Sequence, residues 1–175
     1  MEYRSLAGLA LLLLLVSAAH AAEYVDGDDV FSFSHGTNWQ VTPEPDGTVA
    51  ADCIAGGCAH QGSCIFSKIK VEFGAADLFG EEVMRGLAQG QIEGFSQLGP
   101  TEQINKYVPR RLGVTDGILS QFRSKAPGGA VHFWAFATWH KNYLIQVICR
   151  GPERLWEKAC APEVNRLVAT LVLRQ

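Results

Sequence analysis

The chain has 175 residues, five cysteines and a near-even charge balance, net −3 at pH 7. That balance lacks the basic footprint needed to hold a phosphate backbone, so nucleic acid is excluded as an expected partner. The length suits one domain with room for a buried core.

Arg4, the apolar run Leu6–Val16 and the closing Ala19-His20-Ala21 have the pattern of an export signal, with cleavage expected after Ala21. The run is too short to cross ~30 Å of hydrocarbon, so a membrane span is not expected. The leader carries one acid, Glu2, and one base, Arg4, so its loss leaves the net charge unchanged. No cysteine lies near the cut to take a lipid. Residues 1–21 are therefore read as a signal peptide, and 22–175 as one globular domain in the periplasm or outside the cell.

Ala22–Asp29, with Asp26, Asp28 and Asp29, lacks the ordered spacing of a calcium loop and reads as a solvated tail. Val30–Phe33 and Trp39–Val41 read as short strands around a turn at Gly36. Pro43-Glu44-Pro45-Asp46-Gly47 is a turn, and Thr48–Cys53 a further strand. Cys64–Phe73 alternates with period two. Ile65, Ile69, Val71 and Phe73 fall on one face and Lys68, Lys70 and Glu72 on the other, which predicts a strand with one side toward water.

Asp77 is the expected N-cap of a long amphipathic helix that ends near Leu98 at Gly99-Pro100. Phe79, Val83, Met84, Leu87, Phe95 and Leu98 form its apolar arc. Gly86, Gly90 and Gly94 recur every four residues beside that arc. Each costs ~1 kcal/mol of helix propensity, so they are expected to face the sheet and meet a small-residue stripe of Ser120, Ala135 and Ala137.

Four strands follow: Gln103–Val108, Gly117–Ser124, Val131–His140 and Tyr143–Arg150, with turns at Ala126-Pro127-Gly128-Gly129 and Lys141-Asn142. In the third, Trp134 and Phe136 alternate with Phe133 and Trp139, so both faces should be covered. Pro162 opens a closing helix with Val164, Leu167, Val168 and Leu171 inward.

The cysteines are Cys53, Cys58, Cys64, Cys149 and Cys160, and export directs them toward disulfides, with one left over. The short spacing and the break at Gly151-Pro152 favour a Cys149–Cys160 bridge. Cys53–Cys64 would close the loop between two strands and leave Cys58 spare; Cys58–Cys64 is the alternative. Cys53, Cys58, His60 and Cys64 also form a possible metal set, although their spacing fits no common zinc pattern. Cys53 with His132 or His140 would be a thiol–imidazole pair, but Cys53 ends a strand rather than opening a helix, where a dipole would activate it. The two histidines lie ~26 Å apart along one strand and cannot share an ion. No self-sufficient catalytic motif is present, and no catalytic residue, metal site or cofactor is assigned. The candidate binding rim is Gln121, Arg123 and His132 at one end of the sheet, with Arg110 and Arg111 in a loop after Pro109.

Asn38-Trp39-Gln40-Val41, the central helix, the hairpins through Trp134 and Tyr143, and the ending from Cys149 to Leu173 together resemble the PsbP-like α/β/α sandwich family, including its exported bacterial members. The resemblance implies an α+β fold, an antiparallel sheet of about six to seven strands between a central and a C-terminal helix. It also implies a scaffold that works by binding. The expected function is a non-enzymatic accessory subunit, or an inhibitor or immunity-type partner of another exported protein. The alternative is a cysteine- or metal-dependent enzyme using the 53–64 loop.

Overall fold

The computed structural model describes residues 21–72 and 75–175. Phe73 and the leader up to residue 20 lie outside them. In chain order the strands are β1 (Ala22–Val25), β2 (Phe31–His35), β3 (Trp39–Pro43), β4 (Val49–Cys53), β5 (Ser63–Lys70), β6 (Thr101–Leu112), β7 (Thr115–Ala126), β8 (Gly129–His140), β9 (Tyr143–Pro152) and β10 (Val172–Leu173). The helices are α1 (Ala75–Leu78), α2 (Glu81–Phe95) and α3 (Ala161–Val168). Seven strands form an antiparallel sheet in the order β3-β4-β5-β9-β8-β7-β6, and β1-β2-β10 form a small second sheet.

Two layers cover the large sheet, on opposite faces. On one face lie the small sheet, the helical turn Trp156–Cys160 and α3, whose Phe31, Phe33, Trp156, Val164 and Leu167 pack with Phe66, Trp134, Phe136 and Val147 of the large sheet. On the other lies α2, placed over β6 and β7, with Phe95 stacked on Phe133 at 3.9 Å between ring centres. The alternation in β8 thus reaches both layers, as its aromatic pattern predicts. Tight turns set the hairpins: Pro127-Gly128 with Gly128 at φ 95°, and Lys141-Asn142 with both residues at positive φ, as a right-twisted two-residue hairpin requires.

Three expectations need correction. The stretch 22–29 is no solvated tail: β1 pairs with β2, and Asp26, 4 % exposed, accepts from Lys68 Nζ at 2.5 and 2.7 Å and from the Val30 amide. A carboxylate buried this deeply needs such a partner. Val30–Phe33 and Trp39–Val41 do flank a turn at Gly36, whose carbonyl accepts from the Trp39 amide at 3.1 Å, and the chain passes there from the small sheet to the large one. Asp77 lies in α1, and α2 begins after Gly80 without a side-chain cap.

The glycine stripe is the third. A Cβ at Gly86, Gly90 or Gly94 would meet nothing within 4 Å. The helix rolls so that Ala88 and Gln91 are buried, with Val83, Met84, Leu87, Ile92 and Phe95 around them. The roll follows the larger apolar area of those side chains, and the glycines fall on the outer flank.

The disulfides also differ from expectation. Cys58 is bonded to Cys160 and Cys64 to Cys149, while Cys53 is free. Cys149–Cys160 and Cys53–Cys64 do not form. The strand order decides this: Cys64 stands opposite Ala51 on β4 and opposite Cys149 on β9. Cys53 lies two residues beyond Ala51, where its amide bonds to the Gly62 carbonyl. Gly62 lets the 54–62 loop fold over the Cys58–Cys160 bridge, since a Cβ there would lie 2.2 Å from Cys58 Sγ.

Candidate functional site

A cleft of about 1060 Å³ opens at the sheet end where β4, β5 and β9 meet the β7–β8 turn. Its floor is one row of side chains across four strands: Gln40, Asp52, Ser63 and Arg150, which follow each other in register. The walls are the loop His60–Gly62, the turn Ala126–Val131 and the segment Gly151–Arg154. The next row on the same face is Thr42, Ala50, Ile65 and Ile148. α2 covers the other half of this face, so Ile65 and Ile69 remain 46 % and 48 % exposed. This reverses the expected sense of β5: Cys64 and Phe66 enter the core and the isoleucines face out.

Beside the cleft, the predicted rim residues Gln121, Arg123 and His132 do come together. Arg123 is the register partner of His132 across the β7–β8 hairpin. The imidazole is buried and stacked on Trp156 at 4.4 Å. Its Nδ1 lies 2.9 Å from Glu153 Oε2, and its Nε2 lies 3.0 Å from Gln121 Oε1. Arg123 donates to Glu153 Oε1 through Nε at 3.0 Å and through Nη2. Burial lowers the His132 pKa, outweighing the nearby carboxylate, which would raise it. Burial also acts to raise Glu153, but the Arg123 and His132 hydrogen bonds prevail and hold its carboxyl below the ordinary range. The group clamps the 3₁₀ turn Glu153–Leu155 to the hairpin. Arg110 and Arg111 are elsewhere, in β6 opposite Gly117 and Asp116 rather than in a loop. Six residues of β7 separate that end from Arg123, about 20 Å.

Cys53 borders the cleft but is 1 % exposed, and its Sγ donates to the Ala55 carbonyl at 3.1 Å. Burial first, and the charge of Glu163 second, push its thiol above the usual value. Both ring nitrogens of His132 are engaged, and His140 Nε2 contacts the Arg174 carbonyl at the other end of the strand. Neither imidazole is placed to activate Cys53. The set Cys53, Cys58, His60 and Cys64 cannot act as a four-ligand metal site, because two of its sulfurs are in bridges. Sequence reasoning missed Gln40, Asp52, Ser63, Arg150 and Arg154. They are single residues from separate segments, and no local pattern marks them.

Neither a family model nor a curated protein matches this sequence. Solved structures do match its fold. A cyanobacterial PsbP (CyanoP) from Synechocystis sp. PCC 6803 is 14 % identical, with a TM-score of 0.66 over 90 % of this chain and 95 % of that one. The Ran-binding protein Mog1p of Saccharomyces cerevisiae is 9 % identical, with a TM-score of 0.60 over 89 % and 96 %. A Bacteroides thetaiotaomicron VPI-5482 protein is 16 % identical, with a TM-score of 0.60 over 89 % of this chain, which spans 49 % of that longer one. The architecture is therefore the PsbP/Mog1 type of α+β fold, as the order of elements implies. Two disulfides fit an oxidising compartment. Among the described residues no helix is long and apolar enough to cross a membrane.

Proposed function

We propose that this is an exported protein, cleaved after Ala21 and folded as one domain over 22–175. It acts without catalysis, as a binding or accessory subunit of another exported protein. An inhibitor or immunity-type partner is the form that best suits a small stapled scaffold. The observation that carries the reading is the cleft itself. It is broad, open and lined by polar groups from several segments, while the one thiol at its border is buried and held protonated. The fold shared with a Ran-binding protein supports a binding role by analogy alone. Gln121, Arg123 and His132 then brace the Gly151–Arg154 wall from behind through Glu153.

Site-specific photocrosslinking in the native compartment tests this. A crosslinker at Gln61 or Ala130, in the cleft walls, should yield one discrete protein adduct. The same group at Arg111, at the far end of the sheet, should not. Adducts only from position 111, or none from the cleft, would overturn the reading.

The cysteine-enzyme alternative has one observation in its favour, since Cys53 is reduced and adjoins the cleft. Alkylation of the native protein near neutral pH separates the two. Binding predicts an unreactive thiol until the protein unfolds. Rapid labelling with an imidazole-like pH dependence would establish the enzyme.

A further inference from the structure

Resting on that reading of the cleft, we infer that its occupant is an extended acidic–aliphatic segment of the partner protein. A carboxylate of the segment sits against Arg150 and Arg154, and its aliphatic side chains lie on Ile65 and Ile148. The charges facing the cleft are unequal in availability. Both oxygens of Glu153 are taken by Arg123 and His132. Arg150 donates only through Nε, to Ser63 Oγ at 3.0 Å. Its two terminal nitrogens, and the whole Arg154 guanidinium, have no partner among the described residues. Two exposed guanidiniums thus stand at the β9 side of the floor, in the planar geometry that accepts a carboxylate through paired N–H donors.

The opposing charge is Asp52, which lies two strands away from Arg150, about 10 Å at the usual strand spacing. Asp52 therefore directs the acidic group toward β9 and leaves its own side for backbone N–H groups or a base. The adjoining row is apolar and only half covered. Ile65 is 46 % exposed, and Ala50 and Ile148 are partly exposed beside it. A lone small anion would use the arginines and leave this strip wet, whereas a strand with an acidic and an aliphatic side chain two positions apart, both on its inward face, matches the two rows.

The test uses the disulfide-intact protein lacking its leader, titrated with a capped extended peptide whose inward positions are glutamate and valine by turns, with serine at every position between them. The same peptide with glutamine for glutamate and sodium acetate are run in parallel, and amide NMR shifts are followed. The glutamate peptide should move the signals of Arg150, Arg154 and Ile65, and Arg154→Ala or Arg150→Ala should weaken it about tenfold each. Ile65→Ser should weaken it as well, and Arg110→Ala should leave it unchanged. Equal binding of the glutamine peptide, indifference to both arginine substitutions, or the same shifts from acetate alone would overturn the acidic-segment assignment. A protein adduct from Gln61 alongside a failed titration would remove this assignment and keep the binding role. Peptide binding without any adduct would do the reverse.

Discussion

The two faces of the large sheet are held in different ways. The face under α3 and the small sheet contains the fully buried Phe31, Phe33, Phe66, Trp156 and Leu171, and both disulfides cross-link that half of the molecule. The face under α2 has no covalent tie, is built on the buried Leu78, Ile118 and Phe122 and the Phe95–Phe133 stack, and leaves half its strands uncovered. The contrast teaches where this protein is rigid and where it can receive something. The open row of the candidate site lies on the face that the smaller layer fails to cover.

Removing the bridges should break the comparison most strongly. They are nested, with 58–160 enclosing 64–149. While one bridge is intact, the other closes only a short circuit through 58–64 and 149–160. On the chain-entropy model either alone is then worth ~3 kcal/mol, and losing both costs ~7 kcal/mol. Chemical denaturation of Cys58→Ala/Cys160→Ala, Cys64→Ala/Cys149→Ala and the quadruple variant checks this. Equal losses for all three would contradict the nested picture.

On the other face, Phe95→Ala should cost about 3 kcal/mol, the low end for a large aromatic because this one is only partly buried. Native-state hydrogen exchange should show α2 opening while α3 stays protected; simultaneous opening would mean the two layers do not differ. Smaller, and of opposite sign, Gly90→Ala should stabilise by up to ~1 kcal/mol, because its outward position has room for a methyl group. A loss of stability would return the glycine stripe to the sheet.

The smallest effect is pH-dependent. The fold lowers the proton affinity of His132 below its usual 6.5, so on acidification the unfolded chain takes up that proton first. Its contribution is whole above about pH 6.5 and declines as pH falls toward the folded value. Glu153, also lowered, adds a second loss on the acid side of its usual 4.5. Thermal melts of His132→Gln should therefore show a shallower fall in Tm between roughly pH 7 and 5, with the steeper acid limb retained. An unchanged slope would remove the histidine from the account.

Much of the architecture was legible because it is written in short-range patterns. Period-two alternation, two-residue turns and the apolar side of α3 locate β6 to β9 and the closing helix, and the order of elements resembles the fold found. The orientation of α2 was not legible, since glycine and aliphatic positions adjoin on its wheel and only the competition for area under β6 and β7 resolves them. The small sheet was hidden too, because β1 and β10 stand at the two ends of the described chain and pair through β2.

The sequence alone determined the local elements, the pool of oxidisable sulfurs and the want of a ready catalytic motif, since each depends on neighbours along the chain. Tertiary structure decided which sulfurs meet, which charges neutralise one another and which stay free. Strand order places Cys64 opposite Cys149 and ties Arg123 and His132 to Glu153, while Arg150 and Arg154 have no carboxylate partner among the described residues. Those outcomes rest on contacts between residues tens of positions apart, which a pattern confined to nearby residues does not contain.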